Sequence, residues 1–503
     1  MSIFKRKSKP TASREPSGKV VYRNYAAAKL DRLTAGWTGV TASPDSATRQ
    51  SLTRIRGRSR QQAVDNPYMK RFFQLLRSNV VGAAGFGFQN RAVERENKDG
   101  ITYDDAANRI IESGWREWSK KGICTVDGRS SLIDVLQMLV ETAAKDGEII
   151  VRKIKGKAAG NDFGFAVQLI EADHLDENYN STNTTGNKIR QSIEYNAFNR
   201  PVAYHILNKH PGDLTVIGDG STRYERFPAN EIEHLYRMDR PAQSRGVPWA
   251  VSAMWRLNML GGYEEAEVTA ARTAAGKMGF FKTQDGAEYS GSDQDDNGGI
   301  ITDAEAGAFE LLPEGIDFVG WDPQHPASAF PDFVKAMLRG AASGMGVSYN
   351  SLANDLQGVN FSSIRQGALE ERELWKMLQT WLTEHFLTPI FEEWLLMAMT
   401  TQKIPLPVDK FEKFNKPLWR PRGWGWVDPL KEVKSNIEAV NAGFMSAQDV
   451  ASENGQDIEE VYAQLARESA MREKHGVTLG NPDMQGVDKI LALENKDGTG
   501  DQA

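Results

Sequence analysis

The sequence predicts a mainly α-helical protein with one β-containing (α+β) subdomain, and three stretches predict it. From Asn360 to Met399 apolar residues recur at helical spacing, among them Ile364, Ala368, Leu374, Trp375, Leu378, Trp381, Leu382, Phe386, Ile390, Trp394 and Leu395. A second long helix is predicted over residues 249–281, rich in small side chains at Ala266, Ala270, Ala271, Ala274 and Ala275. Between residues 148 and 236 the pattern changes to short β-branched runs separated by turn residues.

The Asn360–Met399 stretch organises the rest. A serine oxygen accepts a bond from an orphan N–H of a first helical turn, so Ser362 or Ser363 can cap its start. Pro389 is the interior breaker and predicts a bend, because proline removes a helix hydrogen bond and crowds the preceding turn. A helix of about 37 residues would reach roughly 55 Å. That length suits a strut better than the wall of a catalytic bowl.

Composition narrows the class. A chain of 503 residues holds roughly three domains' worth of sequence. A formal charge of −6 argues against a DNA-coating protein, which would carry a strong basic excess. The single cysteine, Cys124, excludes an intrachain disulfide and a cysteine-based zinc site. The seven histidines show no HExxH pairing. The basic N-terminus lacks the apolar run of a signal peptide, and no uninterrupted apolar window is long enough to span a membrane. A cytoplasm-like compartment is expected. There is no Gly-x-x-x-x-Gly-Lys-[Ser/Thr] phosphate loop, hence no recognisable ATP motor.

In chain order, residues 1–20 form a basic tail with two prolines, read as disordered, with nucleic-acid contact or processing as alternatives. A short helix follows from Tyr22 to about Leu33. The segment Ser46–Val64 carries Arg49, Arg54, Arg56, Arg58 and Arg60, read as a solvated face or intersubunit ion pairs rather than a DNA patch. Asn66-Pro67 is an N-cap followed by a first-position proline, and Gly82 ends that helix. Helices are expected over 104–120 and 131–145, the latter opened by a Ser131/Asp134 capping box. Trp115 and Trp118 share one helical face and read as core. Strands are expected at Glu148–Ile154, Phe165–Ile170, Ile189–Tyr195, Val202–Leu207 and Glu231–Tyr236, with a hairpin turn at Phe198-Asn199-Arg200-Pro201. Asp173 and His174 have no matched nucleophile or metal partner and read as structural. Gly261-Gly262 predicts a bend in the second long helix. The acidic, glycine-rich stretch GAEYSGSDQDDNGG interrupts the helical pattern, a helix returns over 329–346, and short helices are expected from Ser446 to about Arg472.

Several of these strings resemble one family. VNFSSIRQGALEERELW is similar to the signature of the lambda-type phage portal proteins, in which Asn-[Tyr/Phe]-Ser-Ser-x-Arg opens a long helix. SRQQAVDNPYMKRFFQLLRSNVVG, DGEIIV, QLIEADHLD, NRPVAYHI, IEHLYRMDRPAQSRGVPW and GWGWVDPLKE resemble the family in order and spacing, over roughly residues 50–470. The family-motif positions are Gly246, Pro248, Trp249, Asn360, Phe361, Ser362, Ser363, Arg365, Asp428 and Pro429.

The resemblance implies a portal-type, ring-forming fold. Residues 1–45 would be the basic tail and short helix, 46–248 a wing, 249–281 a stem helix and 282–326 a clip. Residues 327–349 would be the second stem helix, 350–362 a channel loop, 363–427 the long kinked helix and remaining wing, 428–475 crown helices and 476–503 a disordered tail. It implies a homo-oligomer, a dodecamer, at one capsid vertex, through which double-stranded DNA passes without sequence specificity during packaging and ejection. The implied partners are the terminase large subunit, major capsid and scaffold proteins, and head-tail joining proteins. No cofactor, metal, catalytic residue or membrane is implied. The channel loop carries Asn354, Asp355, Gln357 and Asn360 and no lysine or arginine, so it offers weak contacts rather than phosphate anchors. Two other readings stay open: a carboxylate-based hydrolase, and a minor capsid or head-completion protein.

Overall fold

The computed structural model of the protein describes residues 32, 39, 41–97, 100–184, 186–213, 223–276, 279–283, 316–320, 329–357, 361–424, 429–453, 456 and 458–476. The expected N-terminal tail, the short helix from Tyr22 apart from residue 32, the glycine-rich insertion and the segment after 476 lie outside these residues.

The first helices are α1 (Pro44–Arg49), α2 (Leu52–Asp65) and α3 (Pro67–Leu76). Asn66 separates the last two as expected. Its side-chain oxygen accepts from the N–H groups of Tyr68 and Met69, both at 3.0 Å, and Pro67 needs no such partner. A π-turn at Arg77–Val81 continues α3, and Gly82, at φ +72°, closes it. Strands β1 (Gly87–Asn90), β2 (Val93–Asn97) and β3 (Gly100–Tyr103) lead into α4 (Asp105–Trp118) and α5 (Leu132–Asp146). The Ser131/Asp134 capping box is formed in both directions. Next come β4 (Glu148–Lys155), β5 (Phe165–Ile170), β6 (Ser181–Thr182), β7 (Lys188–Arg190), β8 (Ile193–Tyr195), β9 (Pro201–Leu207), β10 (Tyr224–Pro228) and β11 (Ile232–Tyr236). The remaining elements are α6 (Val251–Gly276), β12 (Gly279–Thr283), β13 (Ile316–Gly320), α7 (Phe330–Met345), α8 (Tyr349–Ala353), α9 (Phe361–Leu382), α10 (Thr388–Thr400), α11 (Phe411–Phe414), β14 (Pro417–Arg420), α12 (Pro429–Asn441), α13 (Ala447–Glu453) and α14 (Ile458–His475).

All strand pairs are antiparallel. A five-stranded sheet runs β10-β9-β8-β7-β6 and a three-stranded sheet β11-β4-β5. Pairing of β1 with β14 ties residues 87–90 to 417–420, and β12 pairs with β13. One expected strand, Ile189–Tyr195, is in fact a hairpin. Gln191 and Ser192 both have positive φ and turn β7 into β8. Neither residue type advertises that conformation. It is held from outside: the Gln191 side chain donates to the carbonyl of Asp45 and Ser192 Oγ to that of Asp176. The hairpin turn expected at Phe198–Pro201 lies at Asn196–Arg200, with Asn199 at φ +59° and Pro201 already in β9.

The long C-terminal helix is continuous but not uniform. Between α9 and α10 one wide π-turn occupies Thr383–Leu387, immediately before Pro389. Pro389 has no N–H and cannot pack against the ordinary preceding turn, and the widened turn absorbs both defects. Ser362 and Ser363 fall inside the first turn of α9 rather than at its cap. The second long helix runs through Gly261 and Gly262 without interruption.

The core is an aromatic centre where α4, α10, β1, β5 and β14 meet. Trp118 and Trp394 are fully buried, and Trp115 packs against Trp118, Phe391, Trp394 and Trp419. Trp118 Nε1 donates to the carbonyl of Phe165 at 2.8 Å. Tryptophans three residues apart on α4 thus serve packing, with the polar indole edge satisfied.

Candidate functional site

The segment between α7 and α9 carries the candidate channel loop. Gly346, at φ +74°, ends α7, and Val347 and Leu352 are buried beneath the loop. Glu371 of α9 then acts as a clamp. Its carboxylate accepts from the Ser348 N–H at 2.6 Å and from Ser351 Oγ at 2.9 Å. From the other side Arg71 of α3 donates to the Ser351 carbonyl at 3.1 Å.

Of the expected loop residues, Asn354 is exposed and ends α8 in the left-handed region at φ +52°. Asparagine tolerates that conformation better than other non-glycine residues. Gln357 is exposed, and Asn360 lies outside the described residues. Asp355 does not offer a free carboxylate. It accepts from Tyr349 Oη at 2.8 Å and from the Gln357 N–H at 2.9 Å, and Lys335 of α7 lies 3.8 Å away. The Gln357 N–H and then the Tyr349 hydroxyl hold Asp355 below the usual aspartate range. Burial and the bond to Asp355 push Tyr349 up to about 12. The Arg339 guanidinium lies 5.5 Å from the Tyr349 ring centroid. The loop itself lacks basic residues, but α7 supplies two at its base. Replacing Tyr349 with Phe removes one anchor of the turn. Amide exchange at residues 354–357 is expected to accelerate roughly fivefold, as loss of one ordinary hydrogen bond implies.

A second constellation sits at the start of α6, where the family-motif residues Gly246, Pro248 and Trp249 lie. Gly246 packs directly on Gly147: a Cβ at 246 would meet the Gly147 carbonyl oxygen at 2.1 Å. The Trp249 N–H donates to the Ala144 carbonyl at 2.9 Å, and the Trp249 ring meets Trp381 of α9 edge-on at 5.8 Å. These residues seat α6 on the end of α5 and on the long helix. Gly246→Ala forces two backbone segments apart and is expected to destabilise the fold by about 3 kcal/mol or more, measured by denaturant unfolding.

Beside Gly246 lies a buried charge cluster. Glu148, fully buried at the start of β4, accepts from Arg245, Arg56, His234 and the Gly246 N–H. Burial alone would raise its pKa. Arg245, then His234 and Arg56, outweigh that and hold it well below the usual carboxylate range. Burial lowers the pKa of His234 despite the neighbouring Glu148. Arg60, one turn from Arg56, pairs with Asp146 and Asp173. Arg56 and Arg60 therefore make intrachain pairs, which corrects the expectation of a solvated or intersubunit face for these two, whereas Arg49, Arg54 and Arg58 are exposed. The available signal was register: Arg56 falls in the stripe of Leu52 and Ser59 that faces the interior.

Asp173 and His174 are likewise structural, since His174 Nδ1 lies 2.7 Å from the Leu207 carbonyl. Glu171, Asp173 and His210 come close enough to share an ion. Arg60 already reaches both carboxylates and supplies positive charge there.

Of the remaining motif positions, Phe361, Ser362 and Ser363 form the first turn of α9, and Arg365 is half-buried on the same helix. Pro429 opens α12, and Asp428 lies outside the described residues. The structure thus brings Gly246 and Trp249 against α5 and α9, but it does not gather all the motif positions into one site.

Comparison with known proteins supplies the context. The family model for phage portal protein, lambda family, matches residues 30–379. A probable portal protein of Halomonas phage phiHAP-1 is 34% identical over 474 residues, covering 93% of this chain and 89% of that protein. Portal protein B of Escherichia phage lambda is 21% identical, covering 92% of this chain and 93% of that protein. Among solved structures, a chain from the neck of an empty gene transfer agent particle superimposes with a TM-score of 0.46 at 14% identity, covering 81% of this chain and 94% of that one. With a family model spanning most of the sequence and a relative matched nearly end to end, the chain belongs to the lambda family of phage portal proteins.

Proposed function

We propose that this chain forms a closed ring of about twelve copies at one capsid vertex, with a central channel for the phage genome. Within its family, the observation that carries the ring is an uncovered apolar stripe on α6. Val251, Trp255 and Met259 are 40%, 69% and 51% exposed, on the side of the helix away from buried Ala253, Leu257 and Leu260. The stripe continues through Gly262 and Ala266, both exposed. A Cβ built on Gly261 or Gly262 would meet nothing within 4 Å. A neighbouring copy supplies the missing cover, and the small residues let its backbone come close.

Within one chain, α6 meets α7 through different small residues. Gly340 lies under Arg256, and Gly344 accepts from Ser252 Oγ at 2.9 Å. In this reading α6 and α7 form the stem and the β12–β13 pair belongs to the clip. The helices before the sheets and the sheets themselves form the wing, and α12–α14 form the crown. The loop over 350–362 faces the channel, where Asn354, Gln357 and Asn360 make exchangeable contacts with sliding DNA. The protein is a structural part of the virion that assembles in the host cytoplasm. It acts by geometry rather than catalysis. The terminase large subunit, capsid and scaffold proteins, and head-tail joining proteins dock on it. Among the described residues no helix is long and apolar enough to cross a membrane.

Native mass spectrometry with negative-stain class averages tests this reading. A hollow ring of about twelve-fold symmetry is expected. A chain that stays monomeric at high concentration overturns it.

A further inference from the structure

The groove between α9 and the α12–α13 helices takes no part in the stem or the channel loop. It encloses about 650 Å³, with Arg372 and Lys376 of α9 on one wall and Asn436 and Ser452 on the other. Trp424 and Arg422 form its floor. Two guanidinium groups flank one indole there: Arg372 and Arg422 each lie 5.9 Å from the Trp424 ring centroid.

This floor is rigidly built. Trp424 Nε1 and Arg422 Nη1 both donate to Asn79 Oδ1, at 3.1 and 3.0 Å, and Arg422 also donates to the Ser78 carbonyl. Gln379, only 2% exposed, donates to the Arg422 carbonyl at 3.0 Å. A Cβ on Gly82 would meet Arg422 Cδ at 2.7 Å, so the arginine stem lies flush against bare backbone.

Among the described residues Arg422 has no carboxylate partner. Burial, and then Arg372, lower its pKa. Among the described residues two carboxylates line the same groove: Glu373 pairs with Lys376 at 2.8 Å, and Glu370 accepts from the Gln366 side chain at 3.2 Å. A half-buried guanidinium held beside a second one, without a counter-charge of its own, is stabilised by an anion from outside. Guanidinium forks match the oxygens of a phosphate, and an indole face accepts a stacked base. An acidic peptide would satisfy the charge but leave the indole unused.

We propose that this groove binds nucleic acid, with Arg422 and Arg372 on a backbone phosphate and Trp424 beneath a base. The site is separate from the channel loop and does not depend on it.

The test is binding of a fluorescein-labelled single-stranded oligonucleotide to the assembled full-length protein, followed by anisotropy across a salt series. Arg422→Gln and Arg372→Gln are each expected to weaken binding roughly tenfold and to reduce the salt slope by about one. Hydrogen exchange should show protection of residues 365–376 and 421–424 on oligonucleotide addition. Unchanged affinity in Arg372→Gln, or protection confined to residues 350–357, overturns the proposal. So does polyglutamate competing as well as the oligonucleotide, which would assign the groove to an acidic protein segment. Binding of inorganic phosphate without any of the oligonucleotide also overturns it. If Arg422→Gln fails to fold, Arg372→Gln and the exchange map decide the matter.

Discussion

Replacing Trp255 with Arg is expected to convert the assembled protein into monomers or open fragments. The side chain is 69% exposed in a single chain and lies midway along the α6 stripe between Val251 and Met259. Covering such a tryptophan contributes about 1.5–3 kcal/mol from apolar burial alone. A tryptophan at the centre of an interface commonly accounts for about 2 kcal/mol or more on truncation. Arginine adds the desolvation of an unpaired charge at each contact. In a closed ring every subunit contributes one such contact, so the effect recurs at every interface. The change is read by native mass spectrometry. Thermal unfolding of the isolated chain should remain near that of the parent, because Trp255 contributes little to the internal core. A ring of unchanged mass would exclude this face of α6 from the subunit contact.

The second large effect is internal. Glu148→Gln removes the carboxylate that neutralises Arg245 and Arg56, which are 0% and 1% exposed. Arg245 would keep its bonds to the carbonyls of Leu175 and Ala172, but among the described residues it would lose the one carboxylate paired with it. Breaking a buried pair in this way costs about 3–5 kcal/mol. The expected result is an unfolding free energy lowered by that amount, read as a lower denaturation midpoint at unchanged slope. The exposed pair Arg472–Glu468 makes the contrast, with loss of Glu468 expected to change stability by about 0.5 kcal/mol or less.

The same cluster sets a pH dependence. The folded pKa of Glu148 lies below its unfolded value, so its contribution is complete above about pH 4.3 and is lost as pH falls through the folded value. His234 acts at higher pH. Burial lowers its folded pKa, so the unfolded chain binds the proton first, near pH 6.5. Stability should therefore decline as pH drops from about 7.5 to 5.5, and His234→Gln should flatten that decline. An equally steep profile in the variant would place the titrating group elsewhere.

Much of the fold was legible in the sequence because local signals carry it. The Asn66-Pro67 junction, the Ser131/Asp134 box, strand β5 and the helix over 330–345 follow from capping chemistry and apolar periodicity, and the helix over 251–276 from its run of small residues. These forces act between residues a few positions apart. Pro389 marked a defect in the long helix, but only the structure showed that a π-turn ahead of it keeps the axis continuous.

The candidate loop was legible in composition alone. Asp355 was named only as a member of a loop without basic residues, whereas Tyr349 and Gln357 hold it, and Tyr349 stands in an adjacent short helix. Composition gives the charge of a loop, not the partners of its side chains.

The sequence by itself determined the helical class, the two long helices, the β-rich middle and the membership carried by the motif strings. Only the tertiary structure decided which arginines of α2 turn inward, that Gln191 and Ser192 form a turn, and that Glu148 joins residues about 90 positions apart on either side. It alone left Trp255 uncovered. The physical reason is range. Helical period and caps are written within a few residues, whereas a buried counter-charge, a turn held from outside and an unsatisfied apolar face depend on segments that only folding brings together.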